Sequence, residues 1–362
     1  MRLLIQPEDG ILPLLKGIAS AKNCVEIVIF RFDQREVERA LATAVSRGVA
    51  VNALIAHTNR AGEQSLRDLE LRLLGAGVTV ARTADDLARY HGKMMIVDKR
   101  ELYVMGFNLT HADIERSRSF GLITRSRDLV REAGKLFESD TKRTPYEPGA
   151  RCFVVSPINA RKELTAFIKG ARKELVIYDP KISDPAMVKL LAERAAAGVD
   201  VRVIGRVTKK AQGLKVRRAP MRLHTRTMAR DRCLGFIGSQ SLRELELDER
   251  REVGLIFSDS RIVNRVRRTF EEDWELCERP DVQVVTEEVA PTAKIAKKVA
   301  KALTKELPPV GPLLDGVVKE VVGEGREVEI DPKEVEEIVK RTVKEAVKEV
   351  VRDVVEEVVV GR

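Results

Sequence analysis

Residues 91 to 98 read HGKMMIVD, and 133 positions later residues 224 to 231 read HTRTMARD. Each segment carries an imidazole, a cation two residues on and an aspartate five beyond that: His91, Lys93 and Asp98, then His224, Arg226 and Asp231. Side chains alternate faces along a strand, so the histidine and cation of each segment point the same way. An unperturbed imidazole titrates at about 6.5, so one copy can be neutral and attack while the other is protonated and donates. Two cations complete what displacement at a phosphodiester requires: a nucleophile, a proton donor for the leaving oxygen, and positive charge around the non-bridging oxygens. Asp98 and Asp231 read mainly as holding the turn after each apolar run or pairing with a nearby cation. His57 and His111 have no partner at the repeat offset and read as ordinary surface or core residues.

The elements that must position this set are themselves repeated. GIASAKNCVEIVIF and VSRGVAVNALI are echoed 150 positions later by FIKGARKELVIYD and RAAAGVDVRVIG, while an offset of 133 carries Asn108 to Ser241, Gly121 to Gly254 and Phe137 to Phe270. Two constant offsets describe one duplicated unit with a shorter middle in its second copy, over about 1–148 and 149–283. Each copy runs from an apolar stretch through an Ala- and Leu-rich helical stretch to a second apolar stretch, then the histidine segment and a last apolar run. That order predicts an α/β architecture with a largely covered sheet, the histidine segment forming a strand, a turn and a returning strand.

These residues resemble the phospholipase D superfamily, whose signature is HxKxxxxD followed by a GSxN-like segment, used twice per active site. The first copy is His91, Lys93 and Asp98 with MGFN ending at Asn108; the second is His224, Arg226 and Asp231 with GSQS from Gly238 to Ser241. FEEDW, near the end of the second copy, resembles that family's domain ending. The resemblance implies two α/β sandwich repeats forming a pseudo-dimer around one composite site, with a helical C-terminal tail over 284–362. It makes His91 the covalent nucleophile and His224 the general acid and base, Lys93 and Arg226 the phosphate clamp, and Asn108, Ser239 and Ser241 further hydrogen-bonding groups. Glu252 stands at the family's downstream acid, able to hold an imidazole in its reactive tautomer. Its first-half counterpart is Ser119, Gly106 stands where the family often has serine, and Arg226 where it has lysine. The implied activity is phosphodiester hydrolysis through a phosphohistidine, without metal or other cofactor; the alternatives are a phospholipid headgroup transferase resembling cardiolipin synthases and a decayed phosphate- or nucleic-acid-binding protein.

The substrate follows less directly. Lys and Arg exceed Asp and Glu by nine in 362 residues, a surplus that attracts polyanions. Between Arg206 and Arg232, Lys209, Lys210, Lys215, Arg217, Arg218, Arg222, Arg226 and Arg230 face one acid, Asp231, which slightly favours nucleic acid over anionic phospholipid. Four scattered cysteines, no signal peptide and no apolar run near the ~18 residues of a membrane span point to a soluble cytoplasmic protein. The tail holds a Lys- and Ala-rich helix at about 293–306, then a second helix opened by Asp331, Pro332 and Glu334. Ile338, Val339, Ala346, Val347, Val350 and Val351 give that second helix a drifting apolar stripe suited to self-association or partner docking.

Overall fold

A computed structural model describes residues 1–57, 63–208 and 213–277. The expected boundary at 283 and both tail helices lie outside the described residues, as do Lys209 and Lys210. What is described belongs to one compact unit, Met1–Asp281.

The first half runs β1 (Arg2–Gln6), α1 (Leu12–Ser20), β2 (Cys24–Ile29), α2 (Arg35–Ser46), β3 (Ala50–Ile55), α3 (Glu63–Gly75), β4 (Thr79–Arg82), β5 (Arg89–Tyr90), β6 (Met94–Val97), β7 (Glu101–Met105), α4 (His111–Glu115), β8 (Ser117–Thr124) and α5 (Arg127–Lys142). The second half follows with β9 (Phe153–Ser156), α6 (Ala160–Lys169), β10 (Glu174–Ile182), α7 (Pro185–Ala196), β11 (Asp200–Val207), β12 (Lys215–Arg217), β13 (Arg222–Leu223), β14 (Arg226–Arg230), β15 (Leu234–Gly238), α8 (Glu244–Asp248), β16 (Arg250–Phe257) and α9 (Ser260–Leu276). One sheet orders its strands β1-β8-β7-β6-β2-β3-β4, the other β12-β11-β10-β14-β15-β16-β5. Two strands change sides: β5 of the first half pairs with β16, and β13 of the second pairs with β8.

Alternation along the strands explains the layers. On β6, Met94 and Ile96 enter the core shared by the two halves, while Met95 and Val97 face the other way, with Val25, Ile27 and Ile29 of β2, toward α1 to α3. The second sheet repeats this, giving Leu175, Ile177 and Met228 to a core with α6 and α7. Between the sheets lie α5 and α9. α5 turns Leu129, Val130, Ala133, Leu136 and Phe137 inward at helical spacing, and α9 does so with Ile262, Val263, Val266, Phe270 and Trp274. FEEDW therefore closes the shared core, its Phe270 and Trp274 rings stacked 5.5 Å apart.

Polar pairs cross between the halves by the same symmetry. Arg118 of β8 donates through Nε and Nη2 to Asp273 of α9, at 2.7 and 2.9 Å. Its counterpart Arg251 of β16 donates through Nε to Asp140 of α5 at 3.1 Å. All four residues are buried.

Candidate active site

The strand exchange delivers the histidines. β5 pairs in parallel with β16, and the next residue, His91, donates its backbone N–H to the Arg251 carbonyl at 2.8 Å. β13 pairs with β8, and His224 N–H donates to the Arg118 carbonyl at 3.1 Å. Each histidine is thus anchored on the partner half's sheet. Both stand just ahead of their strands rather than within them: His91 and Lys93 precede β6, and His224 precedes β14, which Arg226 opens.

His91 is 7% exposed, and its Nδ1 lies 2.9 Å from Oε2 of the fully buried Glu252. An ionised carboxylate only accepts, so the pair places the imidazole proton on Nδ1 and leaves the lone pair on Nε2. Lys93 Nζ donates to the His91 carbonyl at 2.6 Å and lies 3.0 Å from Nε2, so histidine and lysine do share one side. The Phe30 ring meets the imidazole edge-on with centroids 4.5 Å apart. Ser239 stands behind the acid, its hydroxyl accepting from the Val253 N–H at 3.1 Å and having one proton to give either to the Val253 carbonyl, at 3.3 Å, or to Glu252. That is a structural part rather than the phosphate contact the motif suggests.

Around His224 the arrangement differs. Its Nδ1 lies 3.2 Å from Asp113 Oδ2, and Asn108 Nδ2 lies 3.5 Å from its Nε2. Arg226 Nε donates to Ser241 Oγ at 2.9 Å, its Nη2 lies 3.5 Å from Glu246 Oε2, and its Nη1 is buried without a hydrogen-bond partner. Asp113 and Glu246 were not singled out in the sequence. The offset of 133 relates them, each five residues after its Asn108 or Ser241, and each accepts that residue's backbone N–H, at 2.8 and 2.7 Å.

Burial sets the proton affinities. It pushes His91 well below the ordinary imidazole value, aided by Lys93 and Arg226, and takes His224 down to about 3 against the pull of Asp113. Burial also lowers Lys93 to about 7, with Glu252 the main opposing charge, and raises Glu252 itself. Lys93 and Arg226 depress both histidines, so the two motifs share one electrostatic field.

Asp98 and Asp231 are not brought to this centre. Each sits at positive φ in the turn beyond its histidine strand, followed by a second positive-φ residue, Lys99 or Arg232. The Asp98 carboxylate accepts the N–H groups of Lys22, Asn23 and Cys24, and Asp231 those of Arg172, Lys173 and Glu174, at 2.7 to 3.1 Å. They lock each hairpin to the entry of β2 or β10, the holding role, and touch no reacting group. The basic run is corrected as well. Among its described members, Lys215 pairs with Asp200, Arg217 lies over Trp274, Arg222 binds Asp113, Arg226 belongs to the site, and Arg230 donates to the Phe167 carbonyl. Arg226 and Arg230 are thus drawn into the fold, while Lys215, Arg218 and Arg222 remain exposed. His111 is exposed with Glu115 at 2.7 Å, and His57 is also at the surface.

Residues 14–141 and 164–274 match the family model described as cardiolipin synthase, PLD-like domain. Mitochondrial cardiolipin hydrolase of Mus musculus is 27% identical over 124 residues, 34% of this chain and 54% of that protein. That of Danio rerio is 29% identical over 118 residues, 33% and 51% respectively. The chain thus spans about half the length of the curated relatives it matches. Polyphosphate kinase from Porphyromonas gingivalis superposes with a TM-score of 0.62 at 18% identity, over 75% of this chain and 50% of that one. Phosphatidylserine synthase of Haemophilus influenzae gives 0.60 at 11%, over 75% and 84%. At such identities the structural likeness speaks for the fold alone.

Proposed function

The chain belongs to the phospholipase D superfamily, and on that premise we propose that it is a metal-independent phosphodiesterase working through a covalent phosphohistidine on His91. The observation that carries this reading is the Glu252 carboxylate 2.9 Å from His91 Nδ1, which leaves Nε2 with the attacking lone pair. Lys93 Nζ lies over the imidazole, 3.0 Å from Nε2 and 3.1 Å from Nδ1, within reach of a phosphate oxygen brought to Nε2. Lys93 and the free Nη1 of Arg226 then hold the non-bridging oxygens, in the role a divalent cation fills elsewhere.

His224 is neutral at pH 7 while Lys93 and Arg226 surround it with positive charge. A phosphodiester between those cations cancels part of that field, so substrate binding itself raises the proton affinity of His224. Nε2 of His91 attacks phosphorus, the P–O bond to the leaving group breaks, and His224 gives that oxygen its proton. Neutral His224 next takes a proton from water as the water oxygen attacks phosphorus, which releases His91.

The substrate is a phosphodiester of nucleic acid or phospholipid. Several cations of the basic run are engaged within the fold, which weakens the case for a polymer track, and the cardiolipin-hydrolase relatives bring phospholipid onto equal footing. The test is purified protein with EDTA, offered a bis-aryl phosphodiester, single- and double-stranded nucleic acid, and vesicles containing cardiolipin. Turnover with an acid-labile phosphoryl adduct on His91 is expected. Activity that appears only on adding a divalent metal would refute the mechanism, and the preferred natural substrate assigns the class.

A further inference from the structure

We propose that Asp113 is the positioning residue for His224, doing in the first half what Glu252 does in the second. The inference rests on the phosphodiesterase reading but is drawn from the unequal halves. By the repeat offset Ser119 is the counterpart of Glu252. Its hydroxyl is spent on the His224 backbone carbonyl at 2.6 Å and offers the ring nothing. The serine that supports Glu252 is missing from the first half too, since Ser239 corresponds to Gly106. A Cβ there would stand 2.9 Å from the Phe120 carbonyl and 3.2 Å from that of Gly238, so the backbones of both halves have closed over the place. Carboxylate and supporting hydroxyl are absent together.

Asp113 fills the gap from another direction. It is 1% exposed on the short helix α4, with Oδ2 3.2 Å from His224 Nδ1. That nitrogen is buried and makes no hydrogen bond of proper geometry, so a small ring rotation engages Asp113. The carboxylate is already fixed: Oδ2 accepts from Asn108 N and Nδ2 at 2.8 and 2.7 Å, and Oδ1 from Arg222 Nη1. The corresponding Glu246 plays no such part toward His91, being bound to Ser241 N and Arg226. Its place at the imidazole is taken by Glu252.

The charges facing His224 are Asp113 of α4, Arg222 of β13, Arg226 of β14 and Lys93 ahead of β6. Arg222 competes with His224 for the Asp113 carboxylate, whereas Glu252 carries no arginine hydrogen bond beside His91. A carboxylate already committed to an arginine orients the ring but holds its proton less firmly, as suits the residue that must give a proton up.

Histidine side-chain ¹⁵N spectra of the full chain test this, because only four histidines need assignment. Asp113→Asn should lower the protonation midpoint of His224 and shift its tautomer populations, with a much smaller change at His91. Arg222→Gln should raise the same midpoint, because the carboxylate is freed for the ring. A merely structural disturbance would move the His224 midpoint the same way in both variants. On the diester, Asp113→Asn should lose kcat by roughly 10- to 100-fold, within what a general acid contributes, with little change in KM. An unmoved His224 signal in folded Asp113→Asn overturns the proposal. Should that variant not fold, the absence of a rise in Arg222→Gln overturns it. A parent without turnover would instead count against the phosphodiesterase reading and leave the spectral result standing.

Discussion

Glu252→Gln removes one charge and little volume from a fully buried position, so its effect is electrostatic, not steric. Two orientations of the new amide are open. With its oxygen toward His91 Nδ1 the tautomer survives and only the charge-assisted part of the bond is lost, about 1–1.5 kcal/mol, the difference between a hydrogen bond to a charged group and one to a neutral group. At about 1.36 kcal/mol per decade that is roughly 5- to 13-fold in rate. With its nitrogen toward Nδ1 the imidazole proton is forced onto Nε2 and the nucleophile is blocked, the kind of error that costs about 10⁴ when an orienting aspartate becomes asparagine. A loss of at least about fivefold is therefore expected. A second effect has its own signature. Glu252 is the main charge keeping Lys93 protonated against burial, and Lys93 already titrates at about 7. A lysine of lowered pKa is charged only below it, so activity that needs the ammonium declines as pH rises through about 7. Without Glu252 that midpoint drops further, and the alkaline limb of kcat/KM moves toward acid. Bis-aryl diester hydrolysis from acid to mildly alkaline pH, in EDTA, measures both effects. A variant within a few-fold of the parent, with its alkaline limb in place, would refute the assignment of Glu252 as the acid that orients His91.

Further outcomes follow from the same geometry. His91→Ala, His224→Ala and the double variant should each abolish diester turnover to about the same residual level, since nucleophile and proton donor act as a unit. Arg226→Lys keeps the charge but loses the Nε bond to Ser241, so its steady-state rate should differ measurably from the parent's; equal inactivity of both on every substrate, with phosphate binding intact, would favour a binding protein. Arg251→Met strands Asp140, a buried carboxyl already raised to about 6 by burial, and should cost about 3–5 kcal/mol in denaturant unfolding at neutral pH, much of it recovered by adding Asp140→Leu. A chain ending at Gln283 keeps the whole site and should fold as a soluble monomer with diester activity, checked by light scattering and the same assay; unfolding or loss of hydrolysis would move the boundary.

Much of this site is legible in the residues because the duplication prints it twice. An offset of 133 pairs His91 with His224 and Lys93 with Arg226, and alternation along an extended chain puts each histidine and cation on one side. The helices and strands of each half follow from apolar periodicity, and the closing role of FEEDW from its resemblance to the family's domain ending. What the linear pattern hides is the exchange of β5 and β13. Glu252 follows His224 in the chain, yet its carboxylate serves His91, because β16 receives the strand that leads into His91. Asp113 and Glu246 escaped notice for a related reason: an Asp/Glu difference on two short helices carries no apolar rhythm, and only the folded ring positions give it meaning. The basic run misleads in the opposite sense. Its count of positive residues says nothing about the carboxylate, carbonyl or indole that several of them meet.

The departures from a symmetric pair of motifs also make sense together rather than singly. The first half combines a slender ammonium, Lys93, with a longer amide, Asn108. The second combines the longer guanidinium of Arg226 with the short hydroxyl of Ser241, and Nε to Oγ closes at 2.9 Å. A lysine at 226 would leave Ser241 without that donor, and an asparagine at 241 would crowd the guanidinium, so the two changes compensate. Gly106 and Ser119 form a second coupled pair, the hydroxyl and the carboxylate having gone together while Asp113 stands at the vacated imidazole. The arginine is matched to its serine and the absent acid to a nearby aspartate, which fits the proposed division of tasks, with His91 held firmly to attack and His224 held loosely enough to release its proton.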